Sequence, residues 1–228
     1  KATYQNGRLK DKWNNFVTAP WMVKWNAWWG CVNSPEYQDT FLKYAKKMID
    51  GGADYLQMDD PGMNARATAW GACYCEHCVA EATKAGVSLE HDMQTFQESS
   101  VIKFYSTFSK KIDAYAGRHV ALSLNNFNGS SDYLNNLFDF GMAELSKDHA
   151  NVADIYEKII KFNKPQIYTY TDADINNTRR IIATAYASGG HIIVPYDVYN
   201  PNGERIFGKP KDYADLYGFV RAMDNKLD

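Results

Sequence analysis

No apolar run in these 228 residues is long enough to cross a bilayer; the longest, such as HIIVPY, falls far short of the roughly 20 residues a membrane helix needs. A basic surplus is lacking too. Lys and Arg number 25 against 27 Asp and Glu, with no long block of either sign, so nothing in the charge pattern draws the chain to nucleic acid. There is no Ser-centred nucleophile elbow, no Ser/His/Asp pattern and no H-E-x-x-H. The expectation is a soluble protein with no nucleic-acid or membrane partner. The chain starts at Lys1 and carries no signal-like stretch, as a processed, trimmed or fragmentary product would. Asn128-Gly129-Ser130 and Asn176-Asn177-Thr178 fit the glycosylation sequon without settling the compartment, and the expectation leans to an extracytoplasmic location, secreted or periplasmic.

Cysteine is scarce, but its placement is informative. Cys73, Cys75 and Cys78 form a C-x-C-x-x-C cluster, CYCEHC, and Cys31 is the only other. Three thiols that close do not readily pair with one another; with a fourth from a distant loop they make a full tetrahedral set for Zn2+. Such a site is closed, hence structural. Two disulfides or four free core thiols are the alternatives. His77 lies inside the cluster as a neighbour, since four thiolates already suffice. Aromatic residues are plentiful, at six Trp, 16 Tyr and 11 Phe, and rings with an apolar face and polar edge suit both a core and a sugar.

Short apolar runs alternate with helical patterns. Strands are expected near 17–25, 53–59, 119–125, 138–144, 165–171 and 190–197. Ser34 and Pro35 open a helix that Gly51 and Gly52 end, and further helices are expected over 91–116, 152–162, 175–187 and 212–223. Strand–helix alternation implies βα units and a parallel sheet. A doubly wound nucleotide fold would show a Gly-rich turn after a strand, and none is present. Several strands instead finish in acidic residues, as in a (β/α)8 TIM-barrel-like α/β fold, whose functional groups gather at strand C-termini. Six strands where eight are required imply that the first two βα units are absent. The expectation is one catalytic-type barrel domain over 1–228, N-terminally incomplete, with the missing part supplied by another segment or an oligomer partner.

The cysteines and strand order together resemble glycoside hydrolase family 42, the zinc-containing β-galactosidases, and its wider barrel superfamily. In that family one Cys follows the third barrel strand and a C-x-C-x-x-C cluster follows the fourth, which matches Cys31 after 17–25 and Cys73, Cys75 and Cys78 after 53–59. The resemblance implies barrel strands three to eight, the zinc site and carbohydrate chemistry. It departs at one place. The family's fourth strand ends like Q-x-D-N-E, whose Glu is the acid/base, whereas this chain reads Gln57-Met58-Asp59-Asp60-Pro61, so galactosidase activity does not carry over.

Glycoside cleavage needs one group to protonate the leaving oxygen and another to attack, or activate water, on the opposite face. Carboxylates serve both roles because environment sets which is ionised. Strand alternation places Asp59 with Gln57 and makes it the first choice for nucleophile or base, with Asp60 at the rim and able to take over the role. Glu144, ending the apolar run FDFGMAE, is the expected general acid, its pKa raised by partial burial. Asp172, on the strand that carries the nucleophile in family 42, is the rival. Substrate-binding candidates are Trp25, Trp28, Asn125, Asn126, Tyr170, Asp172, Tyr196 and Asp197. The expectation is a glycoside hydrolase acting on an oligo- or polysaccharide through a carboxylate pair; the alternative is a carbohydrate-binding barrel without catalysis.

Overall fold

The computed structural model describes residues 5–126, 131–145, 152–170, 172–194, 198–223 and 226. It divides into two compact units, 1–122 and 123–228. The architecture is α/β with a five-stranded parallel sheet in the order β1-β2-β3-β4-β5. The strands are β1 (Tyr55–Met58), β2 (Ala121–Asn125), β3 (Phe140–Glu144), β4 (Gln166–Thr169) and β5 (His191–Ile193). The unit boundary falls within β2.

In the first unit, α1 (Pro35–Asp50) begins as expected. Ser34 Oγ accepts from the Tyr37 N–H at 3.4 Å and Pro35 takes the first position, where its missing N–H is no loss. Phe41 of α1 packs edge-on against Phe104 and Phe108 of α4 (Met93–Ala116), with ring centroids 5.4 and 5.0 Å apart. In β1, Leu56 and Met58 are buried, Gln57 is half-buried and Tyr55 exposed, so the strand keeps the period-two alternation. Between β1 and β2 the chain also forms α2 (Met63–Arg66) and α3 (Glu76–Ala85). Neither was foreseen from sequence.

One expected strand is absent. Residues 17–25 were expected to be extended as a short, substantially apolar run; instead Pro20–Trp25 is a 3-10 helix. Pro20 accounts for it, since proline cannot donate to a central ladder and its fixed φ favours the first position of a helical turn. Cys31 therefore follows a 3-10 helix, and among the described residues five strands stand where six were expected. The other five regions are strands, shorter than expected, and positions 195–197 of the last lie outside the described residues.

In the second unit β2, β3, β4 and β5 run parallel, with Leu124 opposite Gly141, Gly141 opposite Gln166 and Tyr168 opposite Ile192. One face is dry. Ala143, Tyr168 and Ile192 pack beneath Val152, Ile155 and Ile159 of α5 (Val152–Ile160) and Ile181, Ile182 and Ala185 of α6 (Ile175–Ala187). On the other face Phe140, Met142, Ile167 and Thr169 are half-buried and Ile193 is exposed. A short helix, α7 (Ala214–Ala222), follows β5 after a 3-10 turn at Pro210–Asp212.

Gly141 is required where it stands. The buried amides of Asn126 and Gln166 pair reciprocally above it, at 2.9 and 3.1 Å, and an added Cβ would collide with Gln166 Oε1. Gly141→Ala is expected to cost about 1–3 kcal/mol in urea unfolding, the usual penalty of forcing atoms into a packed interior. An unchanged midpoint would mean the amide pair does not sit over this glycine.

Candidate functional site

The four cysteines converge. Cys31 Sγ lies 3.4 Å from Cys78 Sγ, 3.5 Å from Cys75 Sγ and 3.9 Å from Cys73 Sγ, and all four sulfurs lie within 4.8 Å of one another. Each side chain is at most 1% exposed. These separations are far beyond the roughly 2.05 Å of a disulfide. They bracket the edge of a tetrahedron of sulfurs about 2.3 Å from a central ion, an edge of about 3.8 Å. The cluster is thus consistent with a metal site such as zinc. Local sequence helps: Cys75 is the N-cap of α3 and Cys78 its third residue, so two sulfurs sit at the positive end of a helix. As thiols the four oppose one another. Hydrogen bonding with Cys73, Cys75 and Cys78, and then burial, push the Cys31 thiol well up, while hydrogen bonds from Cys31, Cys73 and Cys78 pull Cys75 down. A bound cation would replace that conflict by shared attraction. His77 stays outside the cluster, 3.8 Å from Glu76 Oε1.

Asn64, a residue the sequence did not single out, ties this centre to the carboxylates. Its Oδ1 accepts from the Val32 N–H at 3.0 Å and its Nδ2 donates to the Gly30 carbonyl at 3.1 Å, clamping Cys31 from both sides. Asn64 stands on α2, three residues after Pro61 and close behind Asp59 and Asp60. The N-terminal segment backs the same loop, with the Leu9 N–H donating to the Trp29 carbonyl at 2.9 Å and the Tyr74 N–H to the Lys10 carbonyl at 2.8 Å.

Asp59 and Asp60 follow the end of β1 and border a cavity of ≈ 540 Å³, with Trp28, Trp29, Gln57 and Asn64 also in its wall. Asp59 is exposed and Asp60 half-buried. Burial, followed by repulsion from Asp59, raises the Asp60 pKa, and Arg66, with its Nη1 4.0 Å from Asp60 Oδ1, opposes the rise. Arg66 also lies over the Trp21 ring, 4.9 Å from its centroid. Asp60 has φ +44°, a left-handed conformation that suits a short polar side chain. Trp28 carries the Arg8 guanidinium 4.4 Å above its ring. Trp29 packs against the cysteine core, and its buried Nε1 has no hydrogen-bond partner among the described residues. Trp25 is 60% exposed.

The second unit holds the remaining candidates. Glu144 ends β3 with its side chain exposed, so the burial expected to raise its pKa is absent. By alternation it shares the half-covered sheet face with Met142, and Asn125 stands opposite Met142 on β2. Asn126 is buried in the amide pair with Gln166, which occupies the groups expected to meet sugar hydroxyls. Tyr170 is buried too. Its hydroxyl donates to Asp172 Oδ2 at 2.7 Å, where Asn177 Nδ2 also donates at 2.7 Å, and burial followed by this hydrogen bond pushes its pKa up. Asp174 caps α6, accepting from the Asn176 and Asn177 N–H groups. Tyr196 and Asp197 lie outside the described residues.

Fold and site together define an α/β chain built on parallel strands with a buried four-cysteine centre. Comparison with protein-family models, curated proteins and solved structures gave no match.

Asp60 yields a stability prediction with a definite sign. Its raised folded-state pKa means the folded protein holds this proton more tightly than the unfolded chain, so its contribution falls as pH rises through the carboxylate range. Asp60→Asn, which tolerates positive φ, is expected to melt higher than wild type at neutral pH, with the gap closing under acid conditions. Asp60→Ala, lacking that tolerance, is expected to lose about 1–2 kcal/mol instead. A neutral-pH melting temperature for Asp60→Asn below that of wild type would contradict the burial argument.

Proposed function

We propose that the protein is a glycoside hydrolase acting on an oligo- or polysaccharide at the C-terminal ends of its parallel strands, within a TIM-barrel-like fold. The observation that carries this reading is the carboxylate pair Asp59 and Asp60 bordering an aromatic-walled cavity of ≈ 540 Å³. That volume lies in the usual range for small-ligand sites, and indole faces with nearby carboxylate and amide groups suit a sugar ring. Asp60, whose pKa burial raises, is the proton donor to the leaving oxygen. Asp59, exposed beside it, is the carboxylate that attacks or activates water. Cys31, Cys73, Cys75 and Cys78 hold a structural Zn2+ that leaves no position open to substrate. Its part is to fix the Cys31 loop and, through Asn64, the wall of the cavity.

Hydrolysis of a panel of aryl glycosides and oligosaccharides tests the reading. Asp60→Asn is expected to lower kcat by about 10²–10⁴-fold while sugar affinity changes little. Because the acid must be protonated, activity is lost as pH rises through the Asp60 pKa. Arg66→Gln, which removes the charge opposing that pKa, is expected to move the alkaline limb to higher pH. Full activity in Asp60→Asn would remove Asp60 from the chemistry. Pro61, standing where the related β-galactosidases carry their catalytic Glu, favours a second reading as a carbohydrate-binding protein without catalysis. Saturable sugar binding with no cleavage across the panel would select it.

Elemental analysis tests the metal. One zinc per chain is expected, falling to a small fraction in Cys73→Ala, and a wild-type protein free of zinc would refute the assignment.

A further inference from the structure

One sulfur of the cysteine centre meets two side-chain amides. Asn33 Nδ2 and Gln97 Nε2 both point at Cys78 Sγ, each at 3.4 Å. They arrive from separate elements, Asn33 from the loop before α1 and Gln97 from α4. Gln97 is fully buried, and its Oε1 has no hydrogen-bond partner among the described residues. An orphaned buried carbonyl costs about 1–3 kcal/mol, so the amide is held there for what its N–H does. A metal-bound thiolate can only accept, which makes N–H toward sulfur the sole useful orientation of either amide. The charge requires such donors. A dication offsets only half the charge of four thiolates, and a buried negative charge is costly unless hydrogen-bonded.

We propose that Asn33 and Gln97 are positioning residues for the metal centre, holding the Cys78 thiolate in place and drawing off part of its charge through paired N–H···S bonds. This rests on the metal reading of the four cysteines. Asn33 is itself steadied by Ser100, whose Oγ accepts from the same Nδ2 at 3.0 Å. Cys78 is thus the ligand that takes side-chain amide donors, whereas Cys73 Sγ accepts from the backbone N–H of Cys75 at 3.4 Å.

The test is zinc affinity measured by competition with a chromophoric chelator, together with the sulfur-to-metal charge-transfer bands of the cobalt-substituted protein. Gln97→Met keeps the volume and removes the donor; it is expected to weaken zinc binding about 10–100-fold, as loss of a residue supporting a ligand typically does. Its cobalt bands should move to lower energy, because an undamped thiolate gives up charge more readily. Asn33→Ala, at a half-buried position, should do the same in a smaller degree, and it carries the test if Gln97→Met does not fold. Ser100→Ala, which touches no sulfur and acts only through Asn33, should move the bands less than Asn33→Ala does. Wild-type affinity and unshifted bands in both donor variants would overturn the proposal while leaving the metal site standing. A wild-type protein that takes up neither zinc nor cobalt would overturn the metal reading and this proposal with it.

Discussion

Four sulfurs within 4.8 Å of one another and sealed from solvent are the constraint on which the first unit depends. They join a loop at Cys31 to a segment more than forty residues later in the chain, where no strand pairing does that work. Left as thiols, such neighbours compete for protons in a medium that penalises charge. Sharing a cation turns the competition into cohesion, and the binding free energy becomes folding free energy for the loops that carry the ligands. The helix start at Cys75 and the amides of Asn33 and Gln97 supply positive dipole and N–H groups where that charge collects.

From there the order passes outward by hydrogen bonds. Asn64 grips both peptide groups flanking Cys31, and it follows Asp59 and Asp60 by only a few residues, so the cysteine loop and the carboxylates share one wall. Asp60 sits in opposed fields. Burial and Asp59 favour its neutral form, while Arg66, itself lying over Trp21, favours the charged one. A carboxyl poised between such influences is suited to giving up a proton during a reaction.

Much of this was legible in the sequence, for physical reasons that can be named. The cap at Ser34 and Pro35, the helix over 175–187 and the strand regions of β1 to β5 follow local rules of capping and periodicity. The cysteine spacing announced its cluster because metal chemistry is short-range and few geometries satisfy it. The apolar run at 17–25 is not a strand, because Pro20 suits the first turn of a 3-10 helix and cannot donate to a ladder. Glu144 was expected to be partly buried from its apolar neighbours, yet strand alternation turns it to the half-covered face. Asn33, Asn64 and Gln97 carried no local signature, for their roles exist only once distant segments meet. Tyr170 and Asn126, expected to bind substrate, have hydrogen-bond partners within the chain in Asp172 and Gln166.

The central claim is that the four cysteines act together on a single ion. X-ray absorption at the zinc edge of the purified protein addresses it directly, since it counts and ranges the ligand atoms. The account predicts one shell of four sulfurs at about 2.3 Å with no nitrogen or oxygen neighbour. A first shell containing lighter atoms, or fewer than four sulfurs, would contradict it.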